Sequence, residues 1–331
     1  MLATTCLVAA LAGCGQQGFL IKPVPLDQRL EETTVAKDAG WFITDKVVVV
    51  PLDGILVNER SESIFFMGDN PLSLFIEQLD KAQADPDVKA VVLRVNSPGG
   101  GVTASDIMYH RLMEFRAERP GVPVITIIED LGASGAYYVA CGSDQIMAHP
   151  TAVVGSIGVL VQTFSIASTL DKIGVKTHAI ISGRYKDMLS PLKPLDEKEA
   201  QIVQVIVDKL YGRFVEVVAA GRPKLTTEQV KSLADGRVFV ADEAQTLGLI
   251  DCIGYMSDAL EQARTTAAIR RMKVVMYHRP LGYKPNAYAI AHGADAQAAN
   301  PAMQLNLINL STPGLMSMAR PQFMYMWTGQ N

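Results

Sequence analysis

Cysteine is scarce in this chain, with four among 331 residues, and only Cys141 and Cys252 lie beyond residue 14. Two isolated cysteines cannot form the disulfide framework that stabilises small secreted domains. An excess of positive charge is also absent, since the formal net charge is −4, and this argues against a nucleic-acid-binding protein. After the N-terminal stretch, no apolar run reaches the roughly 18 residues that span a bilayer.

The chain also lacks a well-placed catalytic histidine and a phosphate-binding glycine motif. The five histidines are His110, His149, His178, His278 and His292. Each is better explained as a structural or surface residue than as a base. The glycine run 99–101 is not followed by Gly-Lys-Ser/Thr and does not have the Gly-x-Gly-x-x-Gly spacing, so a phosphate cradle is not indicated. We expect neither a cofactor nor a metal ion.

One serine is surrounded by very small residues. The segment Gly132-Ala133-Ser134-Gly135-Ala136 precedes the apolar run 137–141. A serine in such a segment can occupy a tight turn between a strand and a helix, where a substrate carbonyl can reach its hydroxyl. This arrangement is typical of the nucleophile of an acyl-transfer enzyme. The alternative is that the small residues only let a helix pack closely on a sheet.

A lysine is better placed than any histidine to serve as the base. Lys186 lies in the segment Ser182-Gly183-Arg184-Tyr185-Lys186-Asp187, after a short strand-like run. A lysine amine accepts a proton only when it is neutral, so burial must lower its pKa by about 3 units from about 10.4. The alternative interpretation is an ordinary solvated lysine beside Asp187.

A glycine-rich turn supplies a candidate oxyanion site. The segment Asn96-Ser97-Pro98-Gly99-Gly100-Gly101 directly follows the hydrophobic run Val88–Val95. Glycines at the end of a buried strand expose backbone N–H groups and allow a substrate chain to approach closely.

These segments, in this order, resemble the signal peptide peptidase A family, which is peptidase family S49. Its members are Ser/Lys peptidases that share their fold with Clp protease and crotonase. The resemblance extends from about residue 45 to about residue 270. The matching segments are 96–102 (NSPGGGV), 133–138 (ASGAYY), 155–159 (GSIGV), 182–187 (SGRYKD) and 234–238 (ADGRV).

The resemblance implies a role for each matching residue. Ser134 corresponds to the nucleophile, Lys186 to the general base, and Ser156 to the second serine that hydrogen-bonds the lysine amine. The backbone N–H groups of Gly100 and Gly135 correspond to the oxyanion hole. The resemblance also implies a ring-like homo-oligomer, in which Ser134 of one protomer meets Lys186 of the next.

We therefore expect a membrane-associated serine endopeptidase that hydrolyses hydrophobic peptides such as remnant signal peptides. Two alternatives remain open. A crotonase-like acyl-CoA enzyme would need an acidic residue beside the oxyanion site, for which Glu129 and Asp130 are the near candidates. A catalytically silent scaffold of the same fold would organise membrane proteins as an oligomer.

The pattern of elements predicts an α/β fold of repeated ββα units, in which helices cover a mostly parallel sheet. We expect strands at 46–52, 88–95, 122–129 and 176–181, and helices at 71–84, 104–117, 134–141, 165–173 and 196–219. The helix at 196–219 carries an apolar stripe, part of which we expect to contact a neighbouring copy. Such alternation also places the turns after residues 95 and 128 on the same side of the sheet.

The termini are interpreted separately. Residues 1–14 end in Leu11-Ala12-Gly13-Cys14, which is typical of a lipoprotein signal whose Cys14 becomes lipidated. No basic residue precedes the apolar stretch, so the alternatives are a chance match or a missing upstream segment. We expect a tether at 15–44, a peptidase domain at 45–270 and a largely irregular tail at 271–331. A second hypothesis is that residues 323–327 dock on an apolar groove of a neighbour or on the membrane. The expected location is the bacterial cell envelope, facing the periplasm and anchored through lipid.

Overall fold

The computed structural model describes residues 29–59, 69–280 and 323–329, together with the backbone of 62–63 and 66–67. The strands are β1 (Glu31–Lys37), β2 (Lys46–Asp53), β3 (Glu62–Ser63), β4 (Phe66–Met67), β5 (Val88–Ser97), β6 (Gly99–Gly101), β7 (Val124–Ala133), β8 (Gln145–Ala148), β9 (Val153–Gly155), β10 (Leu160–Val161), β11 (Val238–Val240), β12 (Cys252–Ile253), β13 (Lys273–His278) and β14 (Phe323–Met326). The helices are α1 (Pro71–Ala84), α2 (Val102–Glu118), α3 (Gly135–Ala140), α4 (Ala167–Lys172), α5 (Glu197–Gly221), α6 (Thr227–Leu233), α7 (Ala241–Thr246) and α8 (Met256–Thr266).

The central sheet is mostly parallel. Its strand order is β1-β13-β2-β5-β7-β8-β12, and β9 pairs with the end of β7 and with β11. The β1–β13 and β9–β11 pairs are antiparallel, and the other neighbours run parallel. Parallel neighbours need crossover connections, which α1, α2 and α3 provide. This arrangement confirms the predicted α/β fold class.

Helices cover both faces of this sheet. Along β2, Val48 and Val50 belong to one hydrophobic core, while Val47 and Val49 belong to a second core on the opposite face. The second core includes three residues of α8, namely Met256, Ala259 and Ala263. A strand that is buried on both faces is a nearly continuous apolar run, which is why β2 has four consecutive valines.

The predicted helices at 71–84 and 196–219 are confirmed, because their start signals work as expected. Asn70 caps α1 by accepting a hydrogen bond from the Ser73 N–H, and Pro71 is the first helical residue. Asp196 caps α5 by accepting from two backbone N–H groups of its first turn. The strands predicted at 88–95 and 122–129 extend further, to Ser97 and Ala133. The first strand therefore runs into the glycine-rich turn, and the second runs up to Ser134.

Segment 162–195, which we call the arm, differs from the sequence prediction. The expected strand at 176–181 does not form, and the expected helix at 165–173 shortens to α4, which has no buried residue. No residue of the arm is buried. Most of the large apolar side chains of this segment are exposed in the single chain, so they do not anchor a helix or strand on its core.

Segments outside the expected peptidase domain also supply strands. β1, from the expected tether, pairs with β13, from the expected tail, and β13 pairs with β2 in the central sheet. β14 comes from the end of the same tail. Residues 1–28, including Cys14, and most of the tail lie outside the described residues. Within the described part of the chain, no helix has both the length and the apolar character needed to cross a bilayer.

Candidate active site

Ser134 occupies the turn between β7 and α3. Its backbone has a φ of 55°, in the left-handed region that residues other than glycine rarely adopt. Its N–H donates a hydrogen bond to the Gly155 carbonyl at 2.7 Å, and its carbonyl accepts one from Tyr138 N–H at 2.9 Å. Such a conformation costs about 1–3 kcal/mol and persists only where the surroundings fix it. The side chain is nearly enclosed, with the residue 1% exposed.

The glycine turn lies directly against this serine. Leu56 N–H donates to Gly99 O at 2.9 Å, and Gly101 N–H donates to Leu56 O at 2.8 Å. Because these groups face Leu56, the N–H and carbonyl of Gly100 face the opposite edge of the short strand. A Cβ on Gly135 would lie 3.2 Å from the Gly100 nitrogen, so the two glycines are adjacent. The turn requires glycine at position 100, since a Cβ there would lie 2.1 Å from Leu56 O.

Ser156 follows the neighbouring strand at the same level. The sheet register pairs Ala133 with Gly155, so Ser134 and Ser156 leave adjacent parallel strands together. Ser156 also has a positive φ, of 50°, and its N–H donates to Arg237 O at 2.7 Å. Its side chain lines an open cleft of about 490 Å³. Four of the predicted site residues, Ser134, Ser156, Gly100 and Gly135, are therefore brought together by a single chain.

Lys186 is not part of this cluster within the chain. It lies on the arm, its side chain is exposed, and its own backbone N–H donates to Gly183 O at 3.0 Å. No hydrogen bond joins its amine to Ser134 or Ser156 in the part of the chain that is described.

Strand β14 lies beside the serine and pairs with two short strands. It runs antiparallel to β6 on one side and to β10 on the other. Within β14, Tyr325 is fully buried and pairs with Gly100. Sequence reasoning considered a neighbour or the membrane as the docking site of this segment, but it lies in a cleft of its own chain. Its aromatic and methionine residues gave no periodic signal that could have indicated this strand.

An aromatic pocket surrounds the Tyr325 ring. The ring stacks on Tyr138 at a centroid distance of 5.2 Å and contacts Phe214 at 4.7 Å. Its hydroxyl donates to Leu210 O at 2.8 Å. Burial raises the pKa of both Tyr138 and Tyr325, so both phenols stay neutral at physiological pH. Sequence analysis missed this pocket because its walls come from α3 and α5, far apart in the chain.

Other candidate groups near the turn are engaged elsewhere. Glu129 lies 3.7 Å from the Arg94 guanidinium, and burial raises the pKa of its carboxyl despite that positive neighbour. Asp130 accepts a hydrogen bond from the Asn96 side chain at 3.0 Å. Burial raises the pKa of the Cys141 thiol to about 12, so this cysteine stays protonated and is a poor nucleophile.

Comparison with known proteins identifies the family of this chain. The model of "Peptidase family S49" matches residues 116–270. "Putative signal peptide peptidase SppA" of Enterococcus faecium is 36% identical over 232 residues, which are 70% of this chain and 67% of that protein. "Protease 4" of Salmonella typhi is 34% identical over 200 residues, 60% of this chain and 32% of that protein.

A plant protein is also similar. "Serine protease SPPA, chloroplastic" of Arabidopsis thaliana is 32% identical over 209 residues, which cover 62% of this chain and 30% of that protein. The range matched by the family model contains the small-residue turn and both left-handed serines. This chain therefore belongs to peptidase family S49 and is a serine protease.

Proposed function

We propose that this protein is a membrane-associated endopeptidase that cleaves hydrophobic peptides with a Ser134 nucleophile and a Lys186 base. The observation that carries this proposal is the position of Ser134. Its left-handed turn places the serine against the Gly100 and Gly135 amides, at the side of a cleft that accommodates an extended strand.

Each residue has a step in the proposed reaction. The neutral Lys186 amine removes the Ser134 proton, and the serine oxygen attacks the carbonyl carbon of the substrate. The Gly100 and Gly135 N–H groups stabilise the resulting oxyanion, and the lysine ammonium then protonates the leaving amine. Ser156 hydrogen-bonds the lysine amine and orients it towards Ser134. Water then hydrolyses the acyl-enzyme by the same route.

A second copy of the chain supplies Lys186 in this proposal. The arm that carries Lys186 has several large apolar side chains facing solvent, namely Phe164, Ile166, Ile173, Val175, Ile180, Ile181, Leu192 and Leu195. The first half of α5 adds Ile202, Val205 and Ile206 to the exposed set. Exposure of so many large apolar side chains is typical of a surface that is covered by a partner. Docking of the arm on a neighbour would bury these residues and bring the lysine to that neighbour's Ser134.

The cleft supports the proposed preference for hydrophobic peptides. Strands β6 and β10 can pair with an extended peptide on both of its edges, which recognises backbone without regard to sequence. Side-chain selectivity then comes from the pocket formed by Tyr138 and Phe214, which has an apolar interior. A peptide released from a membrane segment offers both an extended backbone that can pair with these strands and apolar side chains that fit the pocket. The name of the Enterococcus faecium relative, and the lipoprotein-like segment ending at Cys14, support a location at the cell envelope.

The test is hydrolysis of a fluorogenic peptide with an apolar or aromatic residue before the cleaved bond. We expect Ser134→Ala and Lys186→Ala each to abolish turnover while the melting temperature stays unchanged. Lys176→Ala is the matched control, because Lys176 is an exposed lysine on the same arm, and it should keep full activity. Full activity of Lys186→Ala would remove the proposed base, and full activity of Ser134→Ala would remove the nucleophile.

A further inference from the structure

An ion-paired lysine lies close to the proposed base, on the same arm. The Lys193 amine donates to Asp187 Oδ1 at 2.7 Å and to Glu199 Oε1 at 2.7 Å. Asp187 directly follows Lys186 in the chain, and Glu199 lies in the first turn of α5. Lys193 therefore connects the residue next to the base with that helix. Because this contact matters to the reaction only if Lys186 is the base, what we infer from it rests on the proposed function.

The backbone around Lys193 is fixed without the help of its side chain. The Lys193 N–H donates to Ser190 O at 3.4 Å, and the Lys193 carbonyl accepts from Ser165 Oγ at 2.8 Å. The Ser190 N–H donates in turn to Asp187 O at 3.0 Å. The charge on Lys193 is therefore not needed to form this turn, and its contacts with two carboxylates need another explanation.

One of these two carboxylates holds the lysine in place. Glu199 is only 4% exposed, and a buried carboxylate requires a positive partner. The hydrogen bonds to Asp187 and Glu199 raise the pKa of the Lys193 amine, so this amine stays charged at physiological pH. Asp187, which is half-buried, thus binds an ammonium group that Glu199 anchors on α5.

A free carboxylate at position 187 would work against the base. A lysine amine keeps its proton more tightly when a carboxylate lies close to it, and a protonated amine cannot accept the proton of a serine. Over the residues that the structure describes, Asp187 is bound by Lys193, and no carboxylate is hydrogen-bonded to the Lys186 amine.

The other charged groups around the turn are engaged elsewhere or exposed. The Arg184 guanidinium lies over the Tyr185 ring, 5.4 Å from its centre. The Asp196 carboxylate caps α5 by accepting from backbone N–H groups, and the side chains of Glu197 and Lys198 are exposed at the start of that helix. The carboxylate adjacent to the base is therefore the one whose release would act on it most directly.

We propose that Lys193 is a positioning residue for the base. It binds Asp187 and withholds that carboxylate from the Lys186 amine, which is thereby left free to give up its proton and to take the proton of Ser134. Glu199 keeps the Lys193 amine at Asp187 when the arm docks on a neighbouring copy.

The experiment is the pH dependence of kcat/KM for the fluorogenic peptide, with assembly checked by light scattering. Lys193→Gln removes the charge but keeps a hydrogen-bond donor. We expect its acidic limb, where the rate rises with pH, to lie about 0.5–1 pH unit above that of the wild type, so that hydrolysis below the limb falls about three- to tenfold. The two rates should converge at high pH. Lys193→Arg should keep the wild-type limb, and so should Lys176→Gln, the matched control at an exposed lysine of the same arm.

The double variant Lys193→Gln/Asp187→Asn identifies the cause of the shift. Removal of the released carboxylate should return the limb to within about 0.2 pH unit of the wild type, and Asp187→Asn alone should leave it there. A loss that is equal at every pH, or that persists in the double variant, gives Lys193 a purely structural role and overturns the proposal. If Lys193→Gln does not assemble, Asp187→Asn decides. A limb that Asp187→Asn moves down by about 0.5 pH unit or more shows that this carboxylate already acts on the amine, which also overturns the proposal.

Lys186→Ala, measured on the same peptide, separates this proposal from the proposed function. An inactive Lys186→Ala together with an unshifted Lys193→Gln overturns only the role of Lys193. A fully active Lys186→Ala removes the base and overturns both.

Discussion

At the residue scale, the site depends on backbone conformations that side chains normally avoid. Ser134 and Ser156 both have positive φ angles, and each N–H is fixed by a carbonyl of another segment, Gly155 and Arg237 respectively. Two left-handed serines at the same level of adjacent strands indicate a preorganised site, since each costs stability that the packing of the strands must offset.

The glycine turn gives a residue-scale prediction with a matched control. In Gly100→Ala the new Cβ would lie 2.1 Å from Leu56 O, so β6 must shift and carry its N–H away from the oxyanion. We expect peptide hydrolysis to fall at least about 100-fold. Gly101→Ala should keep most of the activity, because its nearest contact would be an ordinary 3.8 Å. Equal activity of the two variants in the fluorogenic assay would contradict an oxyanion role for Gly100.

At the element scale, the arm has no hydrophobic core of its own, because none of its residues is buried. Its apolar residues have the spacing of buried elements, yet none of them is buried in the single chain. By contrast, α3 is entirely buried and α1 buries one face. An element that keeps apolar side chains without a core of its own is best explained by an intermolecular contact.

We therefore predict that charges on this surface dissociate the proposed oligomer. Ile180→Asp on the arm and Val205→Asp on α5 should each lower the mass measured by light scattering and reduce peptide hydrolysis. The reason is that burying an unpaired carboxylate costs several kcal/mol. Met113→Asp, on an exposed position of α2, should change neither quantity. An unchanged mass and activity in both arm variants would contradict the proposed contact.

At the scale of the whole molecule, a single chain does not bring together all the residues that we propose for the site. The sheet brings the serines and the oxyanion amides together, whereas Lys186 stays exposed on the arm. If a neighbour supplies the lysine, the active unit is an assembly with heterologous contacts, in which each interface forms one site.

Subunit complementation tests this arrangement. Ser134→Ala and Lys186→Ala chains should each be inactive alone, but mixed assemblies should contain sites with an intact serine from one chain and an intact lysine from the next. Random mixing of equal amounts should restore about one quarter of the wild-type rate. The measurement is the rate of peptide hydrolysis by the two co-expressed variants, compared with the rate of each variant purified alone. Mixed assemblies without activity would place both residues in the same chain.

The sequence alone determined the fold class, the main strands and helices, and the residues around Ser134. These features depend on local signals: valine runs for buried parallel strands, Asn70 and Asp196 as helix caps, and small residues where two backbones approach closely. Such signals are contained within a few residues, so they can be recognised without coordinates.

Only the tertiary structure decided which distant segments meet. Residues far apart in the chain meet in three places. Strand β1 pairs with β13, the Tyr325 ring packs against Tyr138 and Phe214, and Leu56 orients Gly100. The same holds for the arm, where the expected strand at 176–181 does not form and the apolar side chains stay exposed. Hydrophobic spacing shows that a face must be covered, but it contains no information on which surface covers it, because burial is non-directional.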